Sequence, residues 1–284
     1  MRRWAILVLA GALLSACGET RDQPQPPASS GDPGVIHVHG LGRNPADGAL
    51  FIATHTGLFR LGASDRSPQR VADLYQDTMG FTVVGRDHFL GSGHPGSIEN
   101  DPPFLGLIES RNAGTTWRPI SLRGDVDFHV LEAQGKTVYG FGSDWETRAV
   151  RFLRSDDRGR TWTRLTPPEE LLALAIDPQD PGVSVALGEQ RGWLSRDGGA
   201  SWRQLPIPGG MVTWSREQGL IAVDLEGIIR SAGEPAANWT EVGRVPGPPA
   251  ALEAVGDELL AATHDSQVLS SLDGGQSWTE LLKE

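Results

Sequence analysis

The chain has 284 residues, with 36 Gly, 20 Pro, 9 Trp, 2 Tyr, a single Cys and a formal net charge of -11. An acidic chain does not attract a polyanion, so nucleic acid is not an expected partner; one cysteine can close neither an intramolecular disulfide nor a cysteine-rich zinc site. High Gly and Pro favour many short strands joined by tight turns, and the length allows one large core or two small ones.

The first element is an address. Met1-Arg2-Arg3 is a positive segment and Trp4–Leu14 an apolar stretch too short to span a bilayer, the form of a secretory signal. It ends in Leu14-Ser15-Ala16-Cys17, which resembles the bacterial lipobox. That resemblance implies a signal peptide over residues 1–16, cleavage before Cys17 and lipidation of Cys17. The protein is then expected outside the cytoplasm, anchored to the bacterial membrane by its acylated Cys17. Residue 18 is Gly rather than Asp, so the resemblance carries no signal for inner-membrane retention. Residues 17–34 form the lipidated Cys and a tether of Pro, Gln, Ser, Gly and Asp that cannot bury a core. The folded part is expected over residues 35–284.

That part repeats. Ser110–Trp117, Ser155–Trp162, Ser195–Trp202 and Ser271–Trp278 follow the pattern S-x-[DN]-x-G-x-[ST]-W, and Ser231–Trp239 is a degenerate copy without the acid. The tryptophans stand at 117, 162, 202, 239 and 278, a period near 40. Each motif reads as a hairpin turn. Its carboxylate accepts hydrogen bonds from the turn's own backbone, its Gly supplies a positive φ, and its Trp starts the next strand and packs across to the neighbouring repeat. Asp157, Asp197 and Asp273 are therefore expected to be structural, and Asn112 keeps the acceptor without the charge. An earlier repeat lacks the turn motif but shares other features: Leu50–His55 echoes Leu259–His264. The repeats run 35–74, 78–122, 126–166, 170–206, 209–244 and 249–284, each reading as four strands.

The motif resembles the Asp box of BNR-repeat β-propellers. The resemblance implies an all-β, six-bladed β-propeller of four-stranded antiparallel blades with Asp-box turns; seven blades is the alternative and requires an unseen repeat. Because each repeat holds all its strands, the ring is expected to close by side-chain packing rather than by an exchanged strand. The segments His37–Leu41, Ala53–Phe59, Gly91–Pro95 and Asp127–His129 look like a narrower group, bacterial lipoproteins labelled exo-α-sialidase or glycosyl-hydrolase-like. The wider fold is shared with sialidases, xyloglucanases, sortilin-type receptors and photosystem II assembly factors, so fold alone leaves function open.

Six of the seven histidines, His37, His39, His55, His94, His129 and His264, map to the channel or to the face opposite the box turns; His88 is expected to be solvated in a turn. Repeats six, one and two are neighbours in a closed ring, and His37 and His39 lie two apart on one strand. Imidazoles with acidic neighbours are what a divalent transition metal needs, with His37, His39, His55, His94 and His264 as the metal candidates. Taken singly, each is equally well a water-bound surface group. The catalytic alternative uses carboxylates on the same face, with Asp127, Asp144, Glu146, Glu189 and Asp224 as candidates by position. A sialidase set is not found: the Phe-Arg-Ile-Pro motif is absent, and neither Tyr75 nor Tyr139 has a paired Glu. The leading expectation is a membrane-anchored binding module, expected to be monomeric, for a small ligand, glycan or protein at a His-rich channel mouth. A glycoside hydrolase and an assembly scaffold for a membrane complex are the alternatives.

Overall fold

The computed structural model describes residues 31–96, 102–235 and 238–282. The expected signal peptide, Cys17 and residues 17–30 of the tether lie outside them. Residues from Pro33 onward form one compact all-β unit, and no helix among the described residues is long and apolar enough to cross a membrane.

Six four-stranded antiparallel sheets follow one another in chain order. Blade one is β1 (Val38–Arg43), β2 (Leu50–Thr54), β3 (Gly57–Leu61) and β4 (Gln69–Arg70). Blade two is β5 (Asp77–Gly85), β6 (His88–His94), β7 (Leu107–Ser110) and β8 (Arg118–Ser121). Blade three is β9 (Val126–Gln134), β10 (Thr137–Asp144), β11 (Val150–Ser155) and β12 (Thr163–Leu165). Blade four is β13 (Leu171–Ile176), β14 (Ser184–Gly188), β15 (Arg191–Ser195) and β16 (Arg203–Pro208). Blade five is β17 (Gly210–Ser215), β18 (Gly219–Asp224), β19 (Ile228–Ala232) and β20 (Thr240–Arg244). Blade six is β21 (Pro249–Val255), β22 (Glu258–Thr263), β23 (Val268–Ser271) and β24 (Thr279–Glu280). The first strands β1, β5, β9, β13, β17 and β21 touch one another in ring order, β21 meeting β1. The molecule is a six-bladed β-propeller, with blades that coincide with the sequence repeats to within a few residues.

The core is six seams. Each apolar cluster joins one blade to the next, as where Phe51 of blade one meets Phe89 of blade two at 4.7 Å between ring centres. A propeller blade is apolar on both faces because both are covered, which is why β2, β14 and β22 read as nearly continuous Leu, Val, Ile and Ala runs. Five tryptophans, Trp117, Trp162, Trp202, Trp239 and Trp278, pack into five of these seams. Blade one has no such Trp. Its seam with blade six is filled by Leu41, Ile52, Phe59, Leu260 and Val268, with Val35, Leu281 and Leu282 against it. No strand is exchanged there. Arg43 makes a two-pronged ion pair with Glu258, each contact 2.7 Å, alongside the apolar seam.

The four complete box turns share one hydrogen-bond pattern. In Ser155–Trp162 the Asp157 carboxylate accepts from the Thr161 N–H at 2.9 Å and the Thr161 hydroxyl at 2.7 Å, while the Gly159 N–H donates to Ser155 Oγ at 2.8 Å. Asn112 accepts from Thr116 N–H at 2.9 Å in the same place, without a charge. Hydrogen bonds from Ser201 and Ser277 hold Asp197 and Asp273 at about 2. Gly159 has φ +78°, and a Cβ there would stand 2.0 Å from Leu107 of the preceding blade, so both backbone and packing demand glycine.

Candidate functional site

The site is built by irregularities in the inner strands. A one-residue bulge leaves a residue without a cross-strand partner and re-aims its side chain. In β1 the pairing jumps from Val38 to Gly40, leaving out His39. In β5 it jumps from Thr78 to Gly80, leaving out Met79, and in β9 from Phe128 to Val130, leaving out His129. The corresponding residues of β13 and β21 are Leu172 and Ala250. These five residues and Met211 of the unbulged β17 line the central cavity. Blades one to three thus place His, Met and His on the wall, and blades four to six place Leu, Met and Ala.

At the mouth two aspartates organise the histidines. Asp77 opens β5, with its cross-strand partner His94 closing β6. Asp77 Oδ2 lies 2.8 Å from His55 Nδ1, and its Oδ1 lies 3.4 Å from His39 Nε2. Ligand atoms of His39, His55 and Asp77 all fall within 4.8 Å of one another. Donors bound tetrahedrally at about 2.05 Å are separated by about 3.3 Å, so this spacing suits one small cation. Asp127 of β9, 2% exposed at its side chain, receives His94 Nε2 at 3.2 Å and His129 Nε2 at 2.9 Å on the same Oδ2. His39 Nε2, Asp77 Oδ1 and Asp127 Oδ1 are buried and have no hydrogen-bond partner.

Local structure holds these groups in place. His55 sits in the β2–β3 turn, where Thr54 Oγ1 bonds the Gly57 carbonyl at 2.7 Å and Thr56 Oγ1 the Gly34 carbonyl at 2.6 Å. Its N–H points at the carbonyls of Ile36 and His37, both at 3.1 Å, and its ring meets the His37 ring edge-on at 6.3 Å. His37 has a left-handed φ of 50° and donates its N–H to Ser266 Oγ of blade six at 3.1 Å. Phe128 N–H donates to Ser92 Oγ at 2.9 Å, locking the β9 bulge to blade two. His94 Nδ1 contacts the Pro103 carbonyl at 3.1 Å, and its ring packs on Phe104, which meets Trp145. With Nδ1 donating to that carbonyl, Nε2 in the neutral ring is the lone-pair nitrogen facing Asp127, the orientation given to metal-ligating histidines by a second partner.

Its hydrogen bond to Asp127 raises His94 above the ordinary imidazole range, and the bond from His129 to the same carboxylate raises His129. Burial alone would raise Asp127, but hydrogen bonds from His129 and His94 outweigh it and hold the carboxyl at about 2. In metal-free protein the raised histidines contribute stability that is fully present below about pH 6.5 and is lost as pH rises through their folded-state pKa values. Asp127 contributes stability present above about pH 3.9 and lost as pH falls through about 2. In an NMR titration of metal-free Asp127→Asn, both imidazoles are expected to titrate lower than in the wild type; unchanged curves would refute the assignment of Asp127 as their partner.

Other expected groups lie elsewhere. His264 is exposed after β22, and its ring makes no hydrogen bond, ion pair or ring contact among the described residues; blade six reaches the site through Ser266 instead. His88, expected to be solvated in a turn, is instead paired. It opens β6 with Nε2 2.8 Å from Glu109, a 5% exposed carboxylate that also meets Arg111 and Arg118. Asp144 accepts the Thr147 N–H and hydroxyl, both at 2.9 Å, and pairs with Arg151. Asp224 accepts the N–H groups of Glu226 and Ile228 and meets Arg230 at 2.7 Å. Both carboxylates thereby hold their own turns. Glu146 and Glu189 are exposed. Further along the channel, Glu132 of blade three and Glu253 of blade six line the wall. Burial raises both carboxyls, Glu253 to about 8, and the Glu253 charge raises Glu132 further.

Asp77 lies one residue ahead of the repeat 78–122 and is not among the candidates that repeat supplies. The available signal was the acid two residues before Met79, which matches Asp127 two residues before His129.

No family model matches the chain. A vacuolar protein sorting/targeting protein 10 from Phaeosphaeria nodorum is 32% identical over 74 residues, which is 24% of this chain and 5% of that protein. Among solved structures, the chain is similar to a gluconolactonase from Xanthomonas campestris, with TM-score 0.65, 12% identity and coverage of 84% and 86% of the two chains. It is similar also to a GH74 enzyme from Niastella koreensis, with TM-score 0.62 and 13% identity over 87% of this chain and 45% of that one. YCF48 bound to D1 peptide gives TM-score 0.54 and 17% identity, over 87% and 81%. The chain thus spans a small fraction of its sequence relative and less than half of the GH74 enzyme. At these identities the likeness is one of fold, and it carries no activity across.

Proposed function

We propose that this protein is a lipid-anchored, extracytoplasmic propeller that binds a divalent transition metal at its channel mouth through His39, His55 and Asp77. The observation that carries this reading is the set of orphaned atoms. His39 Nε2 and Asp77 Oδ1 are buried, face each other at 3.4 Å and satisfy no hydrogen bond. A buried polar group left unsatisfied costs about 1–3 kcal/mol, and a cation between these two removes both costs at once. Two nitrogens and one carboxylate are a donor set for Zn²⁺, Cu²⁺ or Ni²⁺ rather than Ca²⁺ or Mg²⁺, which prefer all-oxygen sites. Three protein ligands leave a coordination position for water or for a donor group of a bound ligand. His94, Asp127 and His129 form a second acid–imidazole set, joined to the first by the cross-strand pairing of His94 with Asp77, and the His37 ring meets the His55 ring edge-on. The anchor rests on the lipobox resemblance at Cys17, and the tether would hold the propeller off the membrane surface.

One preparation tests both parts. Full-length protein without a histidine tag is expected in the membrane fraction; a wholly soluble product would refute the anchor. After detergent extraction and chelation, adding Zn²⁺, Cu²⁺ or Ni²⁺ is expected to load about one equivalent per chain. At 100-fold excess over Kd it should add about 2.7 kcal/mol of stability. No bound metal and no shift in melting temperature with any of the three would overturn the metal reading.

A further inference from the structure

The cavity wall just inside the mouth narrows the choice of metal. Around the ring, the bulge residues of blades one, two and three are His39, Met79 and His129. All three line the same cavity. Leu172 takes the corresponding bulge in blade four, with His129 on one side only and Met211 of the unbulged β17 on the other. Met79 is placed differently. It is half-buried, as Leu172 is, but it is flanked by imidazole-bearing bulges on both neighbouring blades. A thioether is a poor ligand for Zn²⁺, Ca²⁺ and Mg²⁺, whose partners are harder, but a good one for soft Cu(I). Methionine can also serve as a flexible gap-filler. A bulge that turns the side chain out of the blade-to-blade seam and into the channel works against that use.

We infer that the channel mouth also takes copper as Cu(I), with the Met79 thioether acting together with the His39 and His129 imidazoles on the channel wall. This rests on the metal reading above and deepens it. Cu(I) is content with two or three neutral soft donors, and the His–Met–His arc supplies them without Asp77. His39 is common to both sets: it faces Asp77 on one side and opens onto the arc on the other. At the same level the opposite wall carries Leu172, Met211 and Ala250, whose side chains offer no oxygen or nitrogen donor, while Glu132 and Glu253 line the cavity further along. Only binding is involved; the ion arrives already reduced, and no electron is transferred.

The test is anaerobic titration of tag-free full-length protein in detergent with Cu(I), in competition with bicinchoninate, alongside Zn²⁺ titration of the same samples. Wild-type protein is expected to take one Cu(I), with a sulfur scatterer in its copper K-edge absorption spectrum. Met79→Leu keeps the volume and is expected to weaken Cu(I) at least about tenfold while leaving Zn²⁺ within about twofold. Met211→Leu, across the channel, is expected to change neither. The inference is overturned by an unchanged Cu(I) affinity in Met79→Leu, by an equal loss in Met211→Leu, or by the lack of sulfur scattering. Wild-type protein that binds Zn²⁺ but not Cu(I) refutes the copper assignment and leaves the metal site standing. Protein that binds neither refutes both.

Discussion

Replacing Asp77 by Asn is expected to weaken binding of Zn²⁺ or Ni²⁺ by at least about 100-fold, or about 2.7 kcal/mol. Outer-shell partners of metal ligands are worth 10- to 100-fold, so loss of the one anionic ligand belongs at or beyond the top of that range. Asn matches Asp in size and keeps one oxygen, but it removes the charge that pairs with His55 at 2.8 Å and faces His39 at 3.4 Å. The metal-free fold should tolerate the change, because Asp77 opens β5 at the rim and its Oδ1 already lacks a partner. Isothermal titration of both proteins, with their metal-free urea midpoints as the control for folding, decides the matter. An Asn variant with normal folding and affinity within threefold of wild type would show that Asp77 is not a ligand.

The second large effect is on the ring itself. Phe59→Ala is expected to cost about 3–5 kcal/mol, the usual price of emptying a buried aromatic site. Phe59 is 2% exposed in the seam between blades one and six, and the Arg70 guanidinium lies 4.5 Å over its ring. That seam has no exchanged strand and no motif tryptophan, so side-chain packing carries the closure. With a typical total of 5–15 kcal/mol, the loss is a large fraction of the whole and should lower the melting temperature by about 10 °C. Phe152→Ala, 1% exposed in the seam of blades three and four, is the comparison and should cost the same within about 1 kcal/mol. If Phe59→Ala costs less than about 1 kcal/mol in urea unfolding while Phe152→Ala costs the full amount, the closing seam is not what holds the ring.

These two predictions differ in how far the sequence supports them. Phe59 stands in a segment whose apolar run and repeat position mark it as core, and each box turn marks the step from the third to the fourth strand of its blade almost to the residue. Asp77 carries no such mark. Beyond the spacing to Met79 that Asp127 shares with His129, nothing around Asp77 sets it apart from a solvated acid until β5 pairs with β6 and sets Asp77 opposite His94. Sequence position gathered the histidines on one face but could not rank them. His55 and His264 hold equivalent places after β2 and β22, yet His55 meets Asp77 while His264 faces solvent. The five carboxylates picked by position divide in the same way: Asp127 joins two imidazoles, and Asp144 and Asp224 are taken up by their turns and by Arg151 and Arg230.

By itself the sequence determined the architecture of this protein. Turn chemistry is local: a Ser, an Asp or Asn, a Gly at positive φ and a Trp at fixed offsets make the same hairpin wherever they occur. Six repeats of that length have few ways to bury their faces other than a ring. The site was decided only in three dimensions. The bulges that turn His39, Met79 and His129 into the channel arise from register between strands and leave no composition signal. The coupling of His39 with Asp77, and of His94 with Asp127, joins side chains on neighbouring blades 38 and 33 residues apart, and exists only once the seams between blades have closed.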